Sequence, residues 1–250
     1  MHSPLNSILH LNILQEVDST NNYAMARINE RGVMTGTAWL ALHQTSGKGQ
    51  RGKLWQSKPG ENILLSIAIK PDGLLLTDQF MLSSSVALGS YDFVKNYAGR
   101  ETSIKWSNDI YINDKKAGGI LIENIIRGND WMYSVAGIGI NLNQEKFSPD
   151  LPNPVSLYQV TGKKFELLKM AEDLHHCVMN RISHLHSQKH SQIIEEYNSR
   201  LYHRGKKQQF FSKEGRFQAI IKRVEKDGKL ILEKDGKLIG INFGEVSFII

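Results

Sequence analysis

Ala38-Trp39-Leu40-Ala41-Leu42, then His43-Gln44-Thr45-Ser46-Gly47-Lys48-Gly49-Gln50-Arg51-Gly52-Lys53-Leu54-Trp55, then Ile63-Leu64-Leu65-Ser66-Ile67-Ala68-Ile69: two apolar runs flank a basic, glycine-rich segment. Each run has the length of a buried strand. No apolar side chain stands between His43 and Leu54, so the segment between them cannot anchor itself in a core. The order is strand, long loop, strand. Gly47, Gly49 and Gly52 let backbone N–H groups approach an anion and adopt positive φ. Lys48, Arg51 and Lys53 supply charge for a phosphate or carboxylate. A solvated hairpin loop would have a similar composition. This one is long for a hairpin connection, which points to function or disorder, and it ends on Trp55, a flat surface that a solvated loop has little use for. Lacking an apolar anchor, and with three mutually repelling cations, the loop is expected to stay open or disordered until a ligand arrives.

The 250 residues are 40% hydrophobic and 22% charged, as in ordinary globular proteins. That length allows one large domain, or one domain with a small appendage. A net charge of +6 and a pI near 9.2 permit an acidic or nucleic-acid partner without requiring one. The single cysteine, Cys177, excludes an intrachain disulfide and a cysteine metal cluster, and its helical pattern implies inert packing. Met1 to Leu14 has no signal-peptide pattern, and no apolar run is long enough to span a bilayer. A cytoplasmic location is expected.

Along the chain, Ile8 to Val17 predicts a strand, and Asp18-Ser19-Thr20-Asn21 supplies cap residues for a helix over Asn22 to Glu30. The same small polar groups are placed to face a ligand. Strands follow at Thr37 to Leu42 and Asn62 to Lys70, and a long helix runs from Thr77 to about Tyr97, stopped by Gly99. Short strands at Thr102 to Trp106 and Ile110 to Ile112 lead into a tight turn at Asn113-Asp114. Gly118 to Asn124 and Trp131 to Asn141 complete the set. Gly137 and Gly139 signal close approach of a ligand or another backbone. Pro149, Pro152 and Pro154 make a rigid connector before helices at Phe165 to about Leu185 and Ser191 to Tyr202. His186 and His190 have i, i+4 spacing, but no acidic or cysteine partner completes a metal site. Glu225-Lys226-Asp227-Gly228-Lys229-Leu230 recurs as Glu233-Lys234-Asp235-Gly236-Lys237-Leu238, so Gly205 to Ile250 reads as a small meander or barrel.

Four polar clusters fall at strand ends or loops: Ser19-Thr20-Asn21, Gln44 to Lys53, Lys105 to Lys116, and Asn141 to Asn143. Alone, Lys105 and Asp109 would be read as a surface ion pair of about 0–1 kcal/mol. There is no Walker A pattern and no Gly-x-Ser-x-Gly elbow. Together the clusters resemble the biotin protein ligases, also called biotin–[acetyl-CoA-carboxylase] ligases. The family's Ser-Thr-Asn segment matches Ser19-Thr20-Asn21. Its Gly-Arg-Gly-Arg-Arg-Gly loop matches Gly47-Lys48-Gly49-Gln50-Arg51-Gly52, followed by Trp55 and Ser57. Its Lys-Trp-Pro-Asn-Asp segment matches Lys105-Trp106-Ser107-Asn108-Asp109. Lys116 to Leu121 matches the lysine segment, and Gly139-Ile140-Asn141-Leu142-Asn143 the Gly-Ile-Asn-Val-Asn strand end. The resemblance covers about Leu14 to Gln144.

The resemblance implies an α+β fold. A mixed sheet with packed helices, like that of class II aminoacyl-tRNA synthetases, would occupy residues 1–203, and an SH3-like barrel residues 204–250. It implies that biotin and ATP give biotinoyl-5′-AMP, and that biotin passes to a lysine of a biotin carboxyl carrier protein. By motif position Lys116, Lys105 and Arg51 are the catalytic cations. Ser19, Thr20, Asn21, Gln44, Gly47, Lys48, Gln50, Lys116, Gly119 and Leu121 surround biotin. Lys48, Arg51, Lys53, Trp55, Lys105, Asn108, Asp109 and Asn141 serve ATP, with Trp55 on adenine and Asp109 near Mg²⁺. No prosthetic group, no specific DNA binding, no membrane contact, and a monomer or homodimer are expected. Three positions depart from the pattern. Lys48 loses arginine's bidentate fork, Gln50 drops a charge, and Ser107 replaces proline and should loosen the turn before Asn108. Competing readings are a lipoate ligase or octanoyltransferase of the same fold, and a non-catalytic biotin sensor or nucleic-acid-binding protein.

Overall fold

The computed structural model describes residues 11–185 and 190–250. His186 and the start of the first expected strand lie outside these residues. The fold is α+β, built on a mixed sheet with packed helices. Seven strands lie in the order β1-β2-β3-β7-β6-β5-β4: β1 (Leu11–Val17), β2 (Ala38–Gln44), β3 (Ile63–Ile69), β4 (Thr102–Lys105), β5 (Asp109–Ile112), β6 (Lys115–Arg127) and β7 (Asp130–Ile140). β1 and β2 run parallel, joined by helix α1 (Thr20–Arg31), and the other pairings are antiparallel.

Strand alternation assigns the two faces. Ile63, Leu65, Ile67 and Ile69 of β3, with Ala136, Ile138 and Ile140 of β7, pack against helices α2 (Gln79–Ala98) and α4 (Leu167–Ser183). Ala68 and Val135 face the other way, onto Ala24 and Ile28 of α1. The same parity puts Leu64, Ser66, Gly137, Gly139, Gly119 and Leu121 on the α1 face, beyond the end of that helix. Small residues there leave space that α1 does not fill. β3 is buried along its whole length, which explains why it reads as a continuous apolar run.

Three helices follow the connector: α3 (Leu157–Thr161), α4 and, after residues 186–189, α5 (His190–Ser199). α3 is not apparent from periodicity, being one turn set by a capping box of Ser156 and Gln159. The remaining strands form a five-stranded antiparallel sheet in the order β11-β10-β9-β8-β12: β8 (Lys207–Ser212), β9 (Gly215–Val224), β10 (Leu230–Lys234), β11 (Lys237–Ile241) and β12 (Val246–Ile249). The two Asp-Gly copies make different turns. Asp235 and Gly236 both have positive φ and form a two-residue hairpin between Lys234 and Lys237, whereas only Gly228 of the first copy does. Of the histidine pair, His190 lies 3.6 Å from Asp78, an acidic neighbour that spacing does not reveal. No group of three or more metal-binding side chains occurs among the described residues. Cys177 is a free, half-buried thiol whose pKa burial pushes up, in keeping with inert packing. None of the described helices is long and apolar enough to cross a membrane.

His175 of α4 is buried, with Nε2 2.7 Å from the Gly36 carbonyl, and burial pulls its pKa below 6.5. Between the folded value and 6.5 the unfolded chain binds more protons, so His175 contributes stability above 6.5 that is lost as pH falls through the lowered value. Urea midpoints of the protein should therefore drop on acidification below pH 6.5, and less steeply in His175→Gln. Identical slopes would remove His175 from the acid response.

Candidate active site

The open part of the α1 face is a cavity lined by the start of α1, the basic loop, and the small residues of β6 and β7. Ser19 occupies the N-cap position of α1, yet its side chain makes no capping bond. Thr20 is tied down instead: its N–H and Oγ1 donate to Gln44 Oε1 at 2.8 and 2.9 Å. Ser66 Oγ lies 2.7 Å from Thr20 Oγ1 and 2.6 Å from Asn21 Oδ1. Asn21 Nδ2 reaches Glu123 Oε2 at 2.8 Å and the Leu121 carbonyl at 3.2 Å. This buried network fixes the polar end of the cavity. Ser66 and Glu123 escape the motif reading, although a serine inside Ile63 to Ile69 is itself a signal.

Glycine makes the close approaches expected of it, but toward side chains. A Cβ on Gly137 would sit 2.3 Å from Asn21 Oδ1, and one on Gly139 would sit 2.6 Å from Trp55 Cε2. Trp55 lies across Gly139 and Gly119, leaving about 60 Å³ open. Its indole N–H is buried and has no hydrogen-bond partner among the described residues.

At the other end stands Lys116. Its Nζ is 2.7 Å from Asp109 Oδ1 and 5.8 Å from the centre of the Trp55 ring. β5 pairs with both β4 and β6, so Asp109 lies beside Lys105 and opposite Gly119. Asp109 takes Lys116 as its ion-pair partner, not Lys105 as their spacing suggests, although Lys105 is its neighbour in the β4–β5 ladder. Lys105 is held between the Tyr111 and Phe248 rings, at 5.2 and 4.6 Å, and burial lowers its pKa. It does not line the cavity, and neither does Lys53. Asn141 is buried, donating to the carbonyls of Lys116 and Val155, and so fixes the Lys116 backbone. Asn108 lines the cavity and donates to the Ile120 carbonyl.

The loop is crossed by backbone hydrogen bonds of its own, which its sequence does not show. Lys48 and Leu54 form a bridge, Gly49 N–H donates to Lys53 O at 2.7 Å, and Trp55 N–H donates to Gly47 O at 2.8 Å. These backbone bonds offset part of the ordering entropy. Gly47 has no room for a side chain, since a Cβ would meet the Trp55 carbonyl at 2.6 Å. Lys48 reaches Glu123 at 3.3 Å. Gln50 lines both this cavity and a second one, of about 330 Å³, on which Arg51 also opens. Ser107, in place of the proline, has hydrogen-bond partners on both sides of the turn. Its Oγ is 3.1 Å from Asn108 Oδ1 and 3.4 Å from Gln50 Oε1, and its carbonyl accepts from the Tyr197 hydroxyl.

Residues 13–141 match the model of the biotin/lipoate A/B protein ligase family. The chain belongs to this family. It is 33% identical over 175 residues to the bifunctional ligase/repressor BirA of Bacillus spizizenii, covering 68% of this chain and 53% of that protein. Over 240 residues it is 25% identical to the biotin–[acetyl-CoA-carboxylase] ligase of Mycobacterium tuberculosis, covering 94% of this chain and 88% of the relative. Its fold is similar to that of the biotin protein ligase from Aquifex aeolicus, solved in complex with biotin and ATP. The TM-score is 0.80 at 23% identity, covering 96% of this chain and 98% of the other. The chain spans about half the length of the BirA relatives.

Proposed function

We propose that this family member is an ATP-dependent biotin protein ligase. The observation that carries the reading is the distribution of chemistry along one cavity. Leu121 pairs with Gly137 and Gly119 with Gly139, so the Asn21 end and the Lys116 end are two β7 residues apart, about 7 Å. The ligand is thus a molecule with a hydrogen-bonding head for the Thr20, Asn21 and Gln44 network. It has an apolar body for the glycine floor and Trp55, and an anionic tail for Lys116. Biotin has these three parts in this order. Lipoate has the tail, but its dithiolane offers no N–H or carbonyl to the network, which favours biotin.

In the first step a biotin carboxylate oxygen bonds to the α-phosphorus of ATP as the bond to the bridging oxygen breaks, releasing pyrophosphate. Lys116 stabilises the charge gathering on the phosphate. Asp109, by its ion pair, and Asn141, through the backbone, hold Lys116 in place. In the second step a neutral lysine amine of the carrier protein attacks the acyl carbon, loses a proton and releases AMP. Trp55 and the loop exclude water from the acyl-adenylate. The chain builds no metal cage of its own among the described residues. Mg²⁺ would therefore arrive with the ATP phosphates, and Asp109, beside Lys116, would be the carboxylate to hold it.

β5 covers β6 only over Lys115–Gly119, leaving Leu121 to Arg127 paired on one side. That edge is suited to receiving an extended segment of the carrier domain. On the same reading, residues 1–203 form a catalytic unit of the class II aminoacyl-tRNA synthetase type in the cytoplasm, and residues 204–250 an SH3-like barrel. The test is pyrophosphate release with ATP and either biotin or lipoate, followed by transfer to a purified carrier domain. Biotin-dependent release and a labelled carrier are expected. Release with lipoate alone, or with neither acid, would overturn the assignment.

A further inference from the structure

Arg51 sits within the basic loop with φ near 58°, and its side chain reaches the C-terminal sheet. Its Nη1 donates to the carbonyl of Gly244 at 2.9 Å, on the turn between β11 and β12, 193 residues further along the chain. That turn is well held. The Asn242 N–H and side-chain amide both donate to the Glu245 carboxylate, at 2.7 and 3.0 Å. Phe243 lies flat on Trp106, with ring centres 5.1 Å apart and planes within 8°. Trp106 Nε1 in turn donates to the Gly228 carbonyl at 2.9 Å. Trp106 belongs to the segment that also carries Asn108 and Asp109, so the turn is pinned to the cavity wall. The opposite side of the loop is held by Lys48 on Glu123. Gly244 has φ near 83°, and a Cβ there would lie 2.5 Å from the Arg51 guanidinium carbon, Arg51 supplying the three atoms nearest to it.

We propose that the turn Asn242–Glu245 is the receptor for Arg51. The C-terminal sheet then acts as a positioning element that keeps the basic loop closed over the activated acid. This rests on the ligase reading only in what the loop encloses. A carbonyl accepting from a guanidinium suits a reversible latch: it holds the loop, yet lets it open for the acceptor lysine. Arg51 is accordingly a positioning residue, in place of the direct catalytic role that motif position implies.

Gly244→Ala provides the test, because the added methyl meets the movable end of Arg51 and its positive φ strains the receptor turn itself. Phe243→Ala is the second variant, loosening the turn without a side chain at positive φ. Both are read in wild-type and Arg51→Ala backgrounds. One readout is tryptic cutting after Lys48 and Lys53. The other is escape of biotinoyl-AMP from enzyme incubated with biotin and ATP. Each variant should speed both by about five- to tenfold, as for loss of one charge-assisted hydrogen bond. Neither should add to the effect of Arg51→Ala, since partners in one contact are not independent. Additive effects, or unchanged cutting and escape in the single variants, would overturn the latch. Absence of any adenylate in the wild type would instead sink the ligase reading, and the cutting pattern would still report on the latch.

Discussion

Lys116→Ala is expected to slow formation of the acyl-adenylate by about a hundred- to a thousandfold, the usual effect of removing one preorganised electrostatic donor. Lys116 Nζ stands between Asp109 and the Trp55 ring at the end of the cavity assigned to the carboxylate. On the ligase reading charge develops on the α-phosphate there, so its loss acts on the transition state more than on substrate affinity. The backbone should not move with the side chain. Lys116 N–H donates to Asn153 O, its carbonyl accepts from Val155 N–H, and Asn141 holds the same carbonyl. Pyrophosphate release at saturating biotin and ATP is the measurement, with thermal unfolding as the control. A rate within a few-fold of wild type would remove Lys116 from the chemistry.

Much of this site is legible in the sequence because it sits on local features. The loop glycines, the polar start of α1 and the lysine of β6 each announce themselves within a few residues. What is hidden is set by strand pairing. Lys105 and Asp109 lie four apart, which invites pairing them, but β6 arrives beside β5 and brings Lys116 to Asp109. Glu123 meets Lys48 and Asn21 only because β6 runs past β5. Gly137 and Gly139 reveal that something comes close, though not that Asn21 and Trp55 do. The contact of Arg51 with Gly244 spans most of the chain, and nothing near Arg51 hints at it. Among the elements, β6 is longer than its apolar pattern because Lys115 and Lys116 pair as ladder residues despite their charge.

The two glycines of β7 allow the site and the fold to be separated by experiment. In Gly137→Ala the new methyl falls 2.3 Å from Asn21 Oδ1 and within 3.0 Å of its Cγ and Nδ2. Asn21 is a short side chain only 3% exposed, and it bonds Ser66, Leu121 and Glu123. It cannot retreat without breaking those bonds, so overpacking adds to a buried group left unpaired, together about 2–4 kcal/mol. For a chain of this size that lowers Tm by roughly 4–16 °C. Biotin affinity should fall at least about a hundredfold, because the network that receives the ligand's polar head is the part displaced. In Gly139→Ala the methyl instead meets the Trp55 ring at 2.6 Å. Trp55 ends a loop and can swing out, so Tm should change by only about 1–3 °C, while the cavity loses its cover and tryptic cutting of the loop rises. Calorimetry, isothermal titration with biotin, and limited proteolysis distinguish the two. If Gly137→Ala melted like wild type and bound biotin normally, Asn21 would not be the fixed centre of the polar network.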